Sequence, residues 1–440
     1  MKQDMTTGTI WKTLVLFTVP LVLSGMLQQI FNWVDAFIVG NTEGELALAG
    51  IGATTSLYNL FIMVITGFTS GICVLAAQQS GMHETKELRK TLAVFVMLLG
   101  VLFFAIAAAG TVFTHEILVF LDTPGNIFET AQDYIRIMFL GIPFLAVYNT
   151  YCAVLRGMGD SRAPFLSVLV CSGVNVLLDI LFVVVLRLGA AGAAAATVIS
   201  QGIMTIFILF YAVRKYKDLR FRPEKGVFDK KILKKGMMFA LPPAVQAGTT
   251  SVGNLFLQRF MNGFAEQTVA AVTTAYRVDS VIILPIINFG SGIATMVGQN
   301  IGASKPLRAK QALKTGIFMI SGVSLCLTAL VLGAGGHLIA MFGLTPESVE
   351  IGRNFFRGIA VCYIVYGLAM AIRGYIEGIG DMLFSGIAGI IALGVRIGAS
   401  YAGAGFFGNM IIAYAEAFSW LVLLCIYVIR YVRKYGKRTA

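Results

Sequence analysis

The tetrapeptide Gly157-Met158-Gly159-Asp160 returns as Gly378-Ile379-Gly380-Asp381, 221 positions further along the chain. The same offset carries Ser70-Gly71-Ile72 onto Ser291-Gly292-Ile293, Gln78 onto Gln299, Gly81 onto Gly302, Arg136 onto Arg357 and Gly173-Val174 onto Gly394-Val395. Near the start the offset slips by one, so that Phe17 and Pro20 match Phe239 and Pro242. A nearly constant offset over most of each half means that one folding unit is written twice. Whatever fold the first half adopts, the second must adopt it too.

That unit is built for lipid. Apolar residues make up 57% of the chain and charged residues 13%, against roughly 25% charged in soluble proteins. Charge-poor runs of about 20 residues recur, the length needed to cross a bilayer core. They predict twelve spans, at about 14–40, 46–77, 91–114, 130–155, 163–186, 190–213, 236–262, 268–298, 312–335, 352–376, 382–404 and 407–429. Runs this long are helices, because a barrel strand needs only about ten residues and every backbone polar group in lipid must be paired internally. The expected fold is an all-α polytopic membrane protein with twelve transmembrane helices in two six-helix lobes related by a pseudo-two-fold axis. The N-terminal lobe is expected at 1–213, a cytoplasmic linker at 214–235 and the C-terminal lobe at 236–440. An even number of spans per half makes the repeats parallel, with a cleft expected between the lobes.

Of the 34 basic residues, 26 flank spans on the side that also holds both termini and the linker. The positive-inside rule therefore predicts cytoplasmic termini and a multi-pass protein of the cell membrane. The net charge of +12 is this topological bias, which excludes nucleic acid as the partner. The expected partners are the bilayer and small amphipathic molecules, with the chain acting as a monomer. The apolar run after Lys12 continues to Gly40 without a small-residue cleavage site, unlike a signal peptide. The six cysteines, at 73, 152, 171, 326, 362 and 425, read as small packing residues. His83-Glu84 lacks a second histidine four residues on, no phosphate-binding loop is recognisable, and neither a metal nor an organic cofactor is expected.

Charges inside spans are costly and mark function or pairing. The first half has two, Asp35 and Asp179, with no Lys or Arg at mid-span. Asn175, four residues before Asp179, shares its helix face. Counting inward at about 1.5 Å per residue puts Asp35, Asp179 and Thr197 in the same half of the membrane. Two such acids without a cation favour holding a proton, and the same oxygens could ligate a bare cation. The second half mixes signs: Arg277, Asp279, Arg396 and Glu416 lie at similar depth. Arg277, Arg396 and Glu416 read first as structural ion pairs, with Arg396 pairing Glu416 or Asp279. Asp279 and Glu416 read second as a substrate or ion site. Trp33, Tyr148, Tyr151, Tyr276, Phe289 and Met296, with Asp279, are candidates to line a permissive cavity, although core or lipid-facing packing is the default for any one of them. Pro20 and Pro242 are paired helix-bending positions. Asp160 and Asp381, beside Arg156, Arg162 and Arg373, read as turn and clamp residues.

Taken in order, Pro20, the run Gln28-Gln29-Ile30-Phe31-Asn32-Trp33-Val34-Asp35, Gln78 with Gly81, Leu155 to Asp160 with Pro164, Asn175 to Asp179, Gly192 to Thr197, Pro285, Gly298 to Gly302 and Glu377 to Asp381 resemble bacterial MATE transporters (multidrug and toxic compound extrusion). The resemblance implies the MATE fold, within the larger superfamily that also holds polysaccharide and lipid-linked saccharide exporters. It implies antiport of amphipathic, often cationic, drugs or metabolites against protons or sodium. It also implies a coupling cluster, matched here by Asp35, Asn149, Asn175, Asp179 and Thr197. Some members carry a sodium-linked acid in their seventh helix; 236–262 has no Asp or Glu. Protons are therefore the expected coupling ion, with sodium the alternative. The competing expectation is a flippase for a lipid-linked precursor. No nucleophile, base or metal constellation suggests an enzyme.

Overall fold

A computed structural model describes residues 4–219 and 229–436 of the chain. The described residues are helical, with no strand among them. The long helices are α1 (Ile10–Gly44), α2 (Leu46–Gly81), α3 (Thr85–Val112), α4 (Gly125–Gly157), α5 (Arg162–Val185), α6 (Gly189–Lys215) and α7 (Lys230–Met261). They continue with α8 (Glu266–Gly302), α9 (Pro306–Ala340) and α10, a pair Pro346–Ala360 and Tyr363–Gly378 bent by 48°. The last two are α11 (Met382–Phe407) and α12 (Ile411–Arg430).

Each of the twelve expected spans falls on one of these helices. Yet only nine segments among the described residues are long and apolar enough to cross a membrane, or ten with the bent pair. Two features account for the difference. α11 and α12 meet at Gly408, whose φ of 55° breaks the helix, but they form one apolar stretch. α7 opens with Lys230, Lys231, Lys234 and Lys235 and carries two prolines, which dilute its apolar character. Within the expected linker 214–235, helix α7 already begins at Lys230. Asp229 accepts from the Lys231 and Ile232 amides at 2.8 and 3.4 Å and so caps α7 from residue 230. Arg220, Arg222, Glu224 and Lys225 of the linker lie outside the described residues.

Contacts divide the chain into two compact units, Met1–Lys2 with Leu23–Ala240, and Gln3–Val22 with Leu241–Ala440. The division does not follow the repeat boundary at the linker. The first turns of α1 belong to the second unit, and the first turns of α7 to the first. Both division points lie beside the paired prolines, Pro20 and Pro242. Paired glycines receive these segments. A Cβ on Gly71 would lie 2.1 Å from the Phe239 carbonyl oxygen, and one on Gly292 would lie 2.7 Å from Thr18 Oγ1. In the second unit the stretch before α1 is held by side chains: Gln299 accepts from the Met5 amide, Asn300 donates to the Met5 carbonyl, and Arg308 donates to Thr7 and Gly8.

The repeat is visible at atomic detail within each unit. Gly159 and Gly380 both have left-handed φ, at 88° and 96°, which glycine adopts without a steric penalty. A Cβ on Gly157 would lie 2.6 Å from the Cys73 carbonyl, and one on Gly378 would lie 2.7 Å from the Ala294 carbonyl. Cys73 and Ala294 are themselves 221 positions apart.

Candidate functional site

In the first unit, α5 and α6 bring Asn175 and Thr197 together: the Asn175 amide donates to Thr197 Oγ1 at 3.4 Å. One turn further along α5 lies Asp179. Its side chain is fully buried, and neither carboxylate oxygen has a hydrogen-bond donor among the described residues. Asp35 of α1 lies against it, close enough for a hydrogen bond between the two carboxyl groups once one carries a proton. The Asp35 Oδ1 is likewise buried without a donor. Directly after Asp179 the helix widens into a π-helical turn, Ile180–Val185, a distortion common at functional sites.

Asn149, the remaining member of the expected cluster, donates to Leu145 of its own helix at 2.9 Å. Two tyrosines and a glutamine that the sequence did not single out complete the surroundings. Tyr134 of α4 lies near Asp35, Asp179 and Tyr58. Tyr58 of α2 accepts from the Gln201 amide at 3.0 Å. Gln201 is four residues beyond Thr197, so the helical period was a usable signal for it. Room for it comes from Gly141, where a Cβ would lie 2.3 Å from the Gln201 oxygen.

In the second unit, Arg396 of α11 donates to Glu416 of α12 at 2.8 Å and to the Tyr276 hydroxyl at 2.9 Å. Asp279 of α8 is not part of this pair. Its Oδ1 accepts from Tyr363, which the bend of α10 positions at the start of the segment Tyr363–Gly378. The expectation that Arg277 joins the ion pairs is corrected: Arg277 is exposed and has no ion pair among the described residues. Equal depth does not mean equal direction, because residues two apart on a helix point about 200° from each other, as Arg277 and Asp279 do. Tyr276, Asp279, Arg396 and Glu416 line a cavity of about 340 Å³. Phe289 and Met296 instead pack in the apolar core of this unit. In the first unit Tyr148 and Tyr151 are buried, whereas Trp33 is 43% exposed on α1.

Asp160 and Asp381 find side-chain partners other than the neighbouring arginines, although the Arg162 backbone amide donates to Asp160 Oδ1 at 3.2 Å. Asp160 Oδ2 accepts from Lys215 and Tyr216, each at 2.7 Å, and from Tyr211 at 3.1 Å. Asp381 Oδ2 accepts from Arg430 at 2.8 Å, Lys434 at 3.1 Å and Tyr435 at 2.7 Å. Arg373 pairs with Glu377 at 2.6 Å, as expected for an (i, i+4) pair. Burial alone would push the Asp160 carboxyl up, but the Lys215 and Tyr216 hydrogen bonds and the Lys215 charge hold it below the usual carboxylate range. Asp381 is likewise held low, the bonds from Tyr435, Arg430 and Lys434 outweighing burial.

The MatE family model matches the chain twice, at residues 20–181 and 242–402, so each match begins at one of the paired prolines. A probable multidrug resistance protein, YpnP, of Bacillus subtilis is 30% identical over 86% of this chain and 85% of its own length. A second from the same organism, YoeA, is 29% identical over 90% of this chain and 87% of its own. Among solved structures, an outward-facing multidrug resistance MATE family transporter of the MOP superfamily superposes with a TM-score of 0.90, over 97% of this chain and 96% of that one, at 20% identity. That likeness shows a shared fold.

Proposed function

This chain belongs to the MatE family of multidrug efflux transporters, and from that premise we propose that it exports amphipathic organic cations across the cell membrane in exchange for protons. One observation carries the choice of ion: Asp179 is fully buried beside Asp35, and neither of its oxygens has a donor. Two ionised carboxylates without a cation repel each other and are poorly solvated; a single shared proton relieves both costs. Sodium would want several oxygens converging on one point. The Asn149 amide nitrogen donates to the Leu145 carbonyl, which holds that side chain along its own helix.

Proton entry at Asp35 and Asp179 is coupled to release of cargo through the differential affinity of the two states for the proton. The basic flanks favour cytoplasmic termini, so the proton is taken up outside and delivered inside. A flippase would need free cations to answer phosphate. Arg396, the deep arginine of the second unit, is already bound to Glu416. Vesicles holding the purified protein, with proton and sodium gradients imposed separately, test the reading. Efflux of a cationic dye should follow the proton gradient. Efflux that follows sodium alone would keep the site and replace the ion; no efflux under either gradient would remove the reading.

A further inference from the structure

In the second unit, basic residues near the helix ends are answered internally. Lys305 donates to the Thr6 carbonyl at 3.0 Å, and Arg308 donates to those of Thr7 and Gly8 at 2.6 and 2.8 Å. Arg430 and Lys434 both pair with Asp381. The offset of 221 that carries Asn175 and Asp179 onto Arg396 and Ser400 also carries Glu84 and Glu87 onto Lys305 and Arg308. The first unit therefore reverses the arrangement: the cations sit on α7, the helix that packs in, and not on the helix that receives it. Lys230, Lys231, Lys234 and Lys235 open α7, and all four are exposed. Among nearby cations Lys90 pairs with Asp229 and Lys215 with Asp160. The four lysines, with Lys86, Arg214 and Lys217, have no ion pair among the described residues. From 214 to 235 the sequence holds ten basic residues against three acidic ones, so this segment cannot neutralise itself.

Close packing fixes which way these lysines point. α7 lies tightly on α3 at Gly236, where a Cβ would be 2.2 Å from the Phe95 ring. Ile232, one turn earlier on that face, is buried, and Asp229 reaches Lys90 of α3 at 3.4 Å. The lysines take the other face. At about 100° per residue, positions 230, 231, 234 and 235 fall within an arc of about 140°. Met238 shares that arc one turn beyond Lys234 and is 67% exposed. α6 ends in the same manner: Ile206 and Phe210 are exposed, and the Arg214 guanidinium covers the Phe210 ring at 4.5 Å. The following turn, Lys217–Leu219, packs against α3. On both helices an exposed apolar side chain gives way to a cation within one turn, the order expected where lipid tails meet headgroups. The lysine face is unfavourable on its own. Lys230 and Lys234, like Lys231 and Lys235, are equal charges four residues apart, and cations at a helix start oppose its dipole. Phosphate anions against this face would offset both costs.

We propose that the lysine face at the start of α7 docks the headgroups of anionic phospholipids in the leaflet that it borders. The assignment does not depend on the cargo or on the coupling ion. Phosphatidylglycerol is the probe, with phosphatidylcholine as the neutral lipid and inorganic phosphate as the free anion. Lipids retained by the full-length protein are counted by native mass spectrometry, and thermal melts are taken in nanodiscs of each lipid. Wild type should retain phosphatidylglycerol over phosphatidylcholine by at least about tenfold and melt higher in its nanodiscs. Concentrated salt should shrink the melting difference, and inorganic phosphate should not reproduce it. Changing Lys231→Gln, Lys234→Gln and Lys235→Gln together should remove most of the preference, about tenfold or more. The pair Lys234→Gln and Lys235→Gln, expected to lose at least about threefold, decides the matter if the triple variant does not fold. Lys12→Gln, Lys314→Gln and Arg433→Gln together remove the same charge from exposed positions spread over the second unit, and that protein should keep the wild-type preference. No preference in wild type, an equal loss in the two triple variants, or equal stabilisation by inorganic phosphate overturns the assignment.

Discussion

The two halves of this protein agree at the turns after α4 and α10 and disagree in the helix interiors. At the turns, Gly159 and Gly380 share a left-handed φ, and Asp160 and Asp381 each gather a lysine and a tyrosine from the chain at or just beyond the end of the sixth helix of its half, Lys215 with Tyr216 and Lys434 with Tyr435. On Oδ2 one partner has changed, Tyr211 for Arg430, and Asp160 alone of the two also accepts from the Arg162 and Ala163 amides on Oδ1 among the described residues. In the interior, an uncharged Asn–Thr bond beside two acids faces an Arg–Glu pair beside one. The turn cluster joins the start of one helix to the end of another, and any loss there loosens the backbone. The interior needs only to balance its charge, so residues can be exchanged in groups. Arg396 is tolerable because Glu416 came with it.

The largest effect should separate the two interiors. Asp179→Asn is expected to abolish gradient-driven efflux, a loss of more than about a hundredfold or roughly 3 kcal/mol in coupling, while the protein still inserts and folds. Adding Ser400→Asp to that variant should not restore transport. Position 400 lies one turn from Arg396, which would neutralise a new acid. Recovery of efflux in the double variant would mean that the two interiors are interchangeable and that the comparison is wrong.

Next is the ion pair itself. Arg396→Met or Glu416→Gln alone should destabilise the protein by about 3–5 kcal/mol, because each leaves a buried charge unanswered. The double variant should recover part of the loss in thermal unfolding. A double variant no better than the worse single one would show that the pair is not an energetic unit. The corresponding Asn175→Ala and Thr197→Ala changes should cost only about 1 kcal/mol each, since a neutral hydrogen bond is lost.

The turn clusters should respond alike. Asp160→Asn and Asp381→Asn each weaken charge-assisted bonds and should cost on the order of 2 kcal/mol. Both carboxyls are held low in the folded protein, so their contribution is present above the unfolded carboxylate value of about 4 and is lost as pH falls through the lower folded value. In thermal melts taken at falling pH, each Asn variant should approach wild type only in that acid range. A large effect from one position and none from the other would undo the claim that this part of the repeat is retained.

Much of the fold was legible because lipid demands it. Span length, the proline and glycine pairs and the basic flanks follow from backbone pairing and charge placement, which leave linear traces. Asp35, Asp179 and Asn175 were legible for the same reason, as polar groups where lipid penalises them. Tyr58, Tyr134 and Tyr363 were not, since a buried tyrosine reads as any aromatic. The bend that aims Tyr363 at Asp279 has neither proline nor glycine at 361–362 to announce it. Arg277 was misjudged because depth was counted and direction was not. The reciprocal exchange of helix starts between the units leaves no pattern along the chain, since it depends on what Gly71 and Gly292 meet in three dimensions.

The smallest effect lies where the halves share strain and not sequence. His83 and Ser304, 221 positions apart, have φ of 58° and 56°. Each follows a helix whose end closes in the same way: the Glu84 amide donates to the Gln79 carbonyl at 3.1 Å, and the Lys305 amide to the Asn300 carbonyl at 2.7 Å. A side chain in the left-handed region costs about 1–2 kcal/mol, and glycine removes that cost while adding freedom to the unfolded chain. His83→Gly and Ser304→Gly should therefore each stabilise the protein by less than about 1 kcal/mol. The two gains should have the same sign and similar size in detergent melts, because the shared turn sets them and the side chains, imidazole and hydroxyl, do not. Opposite signs would show that one of these side chains makes an interaction of its own, and that even the turns have begun to diverge.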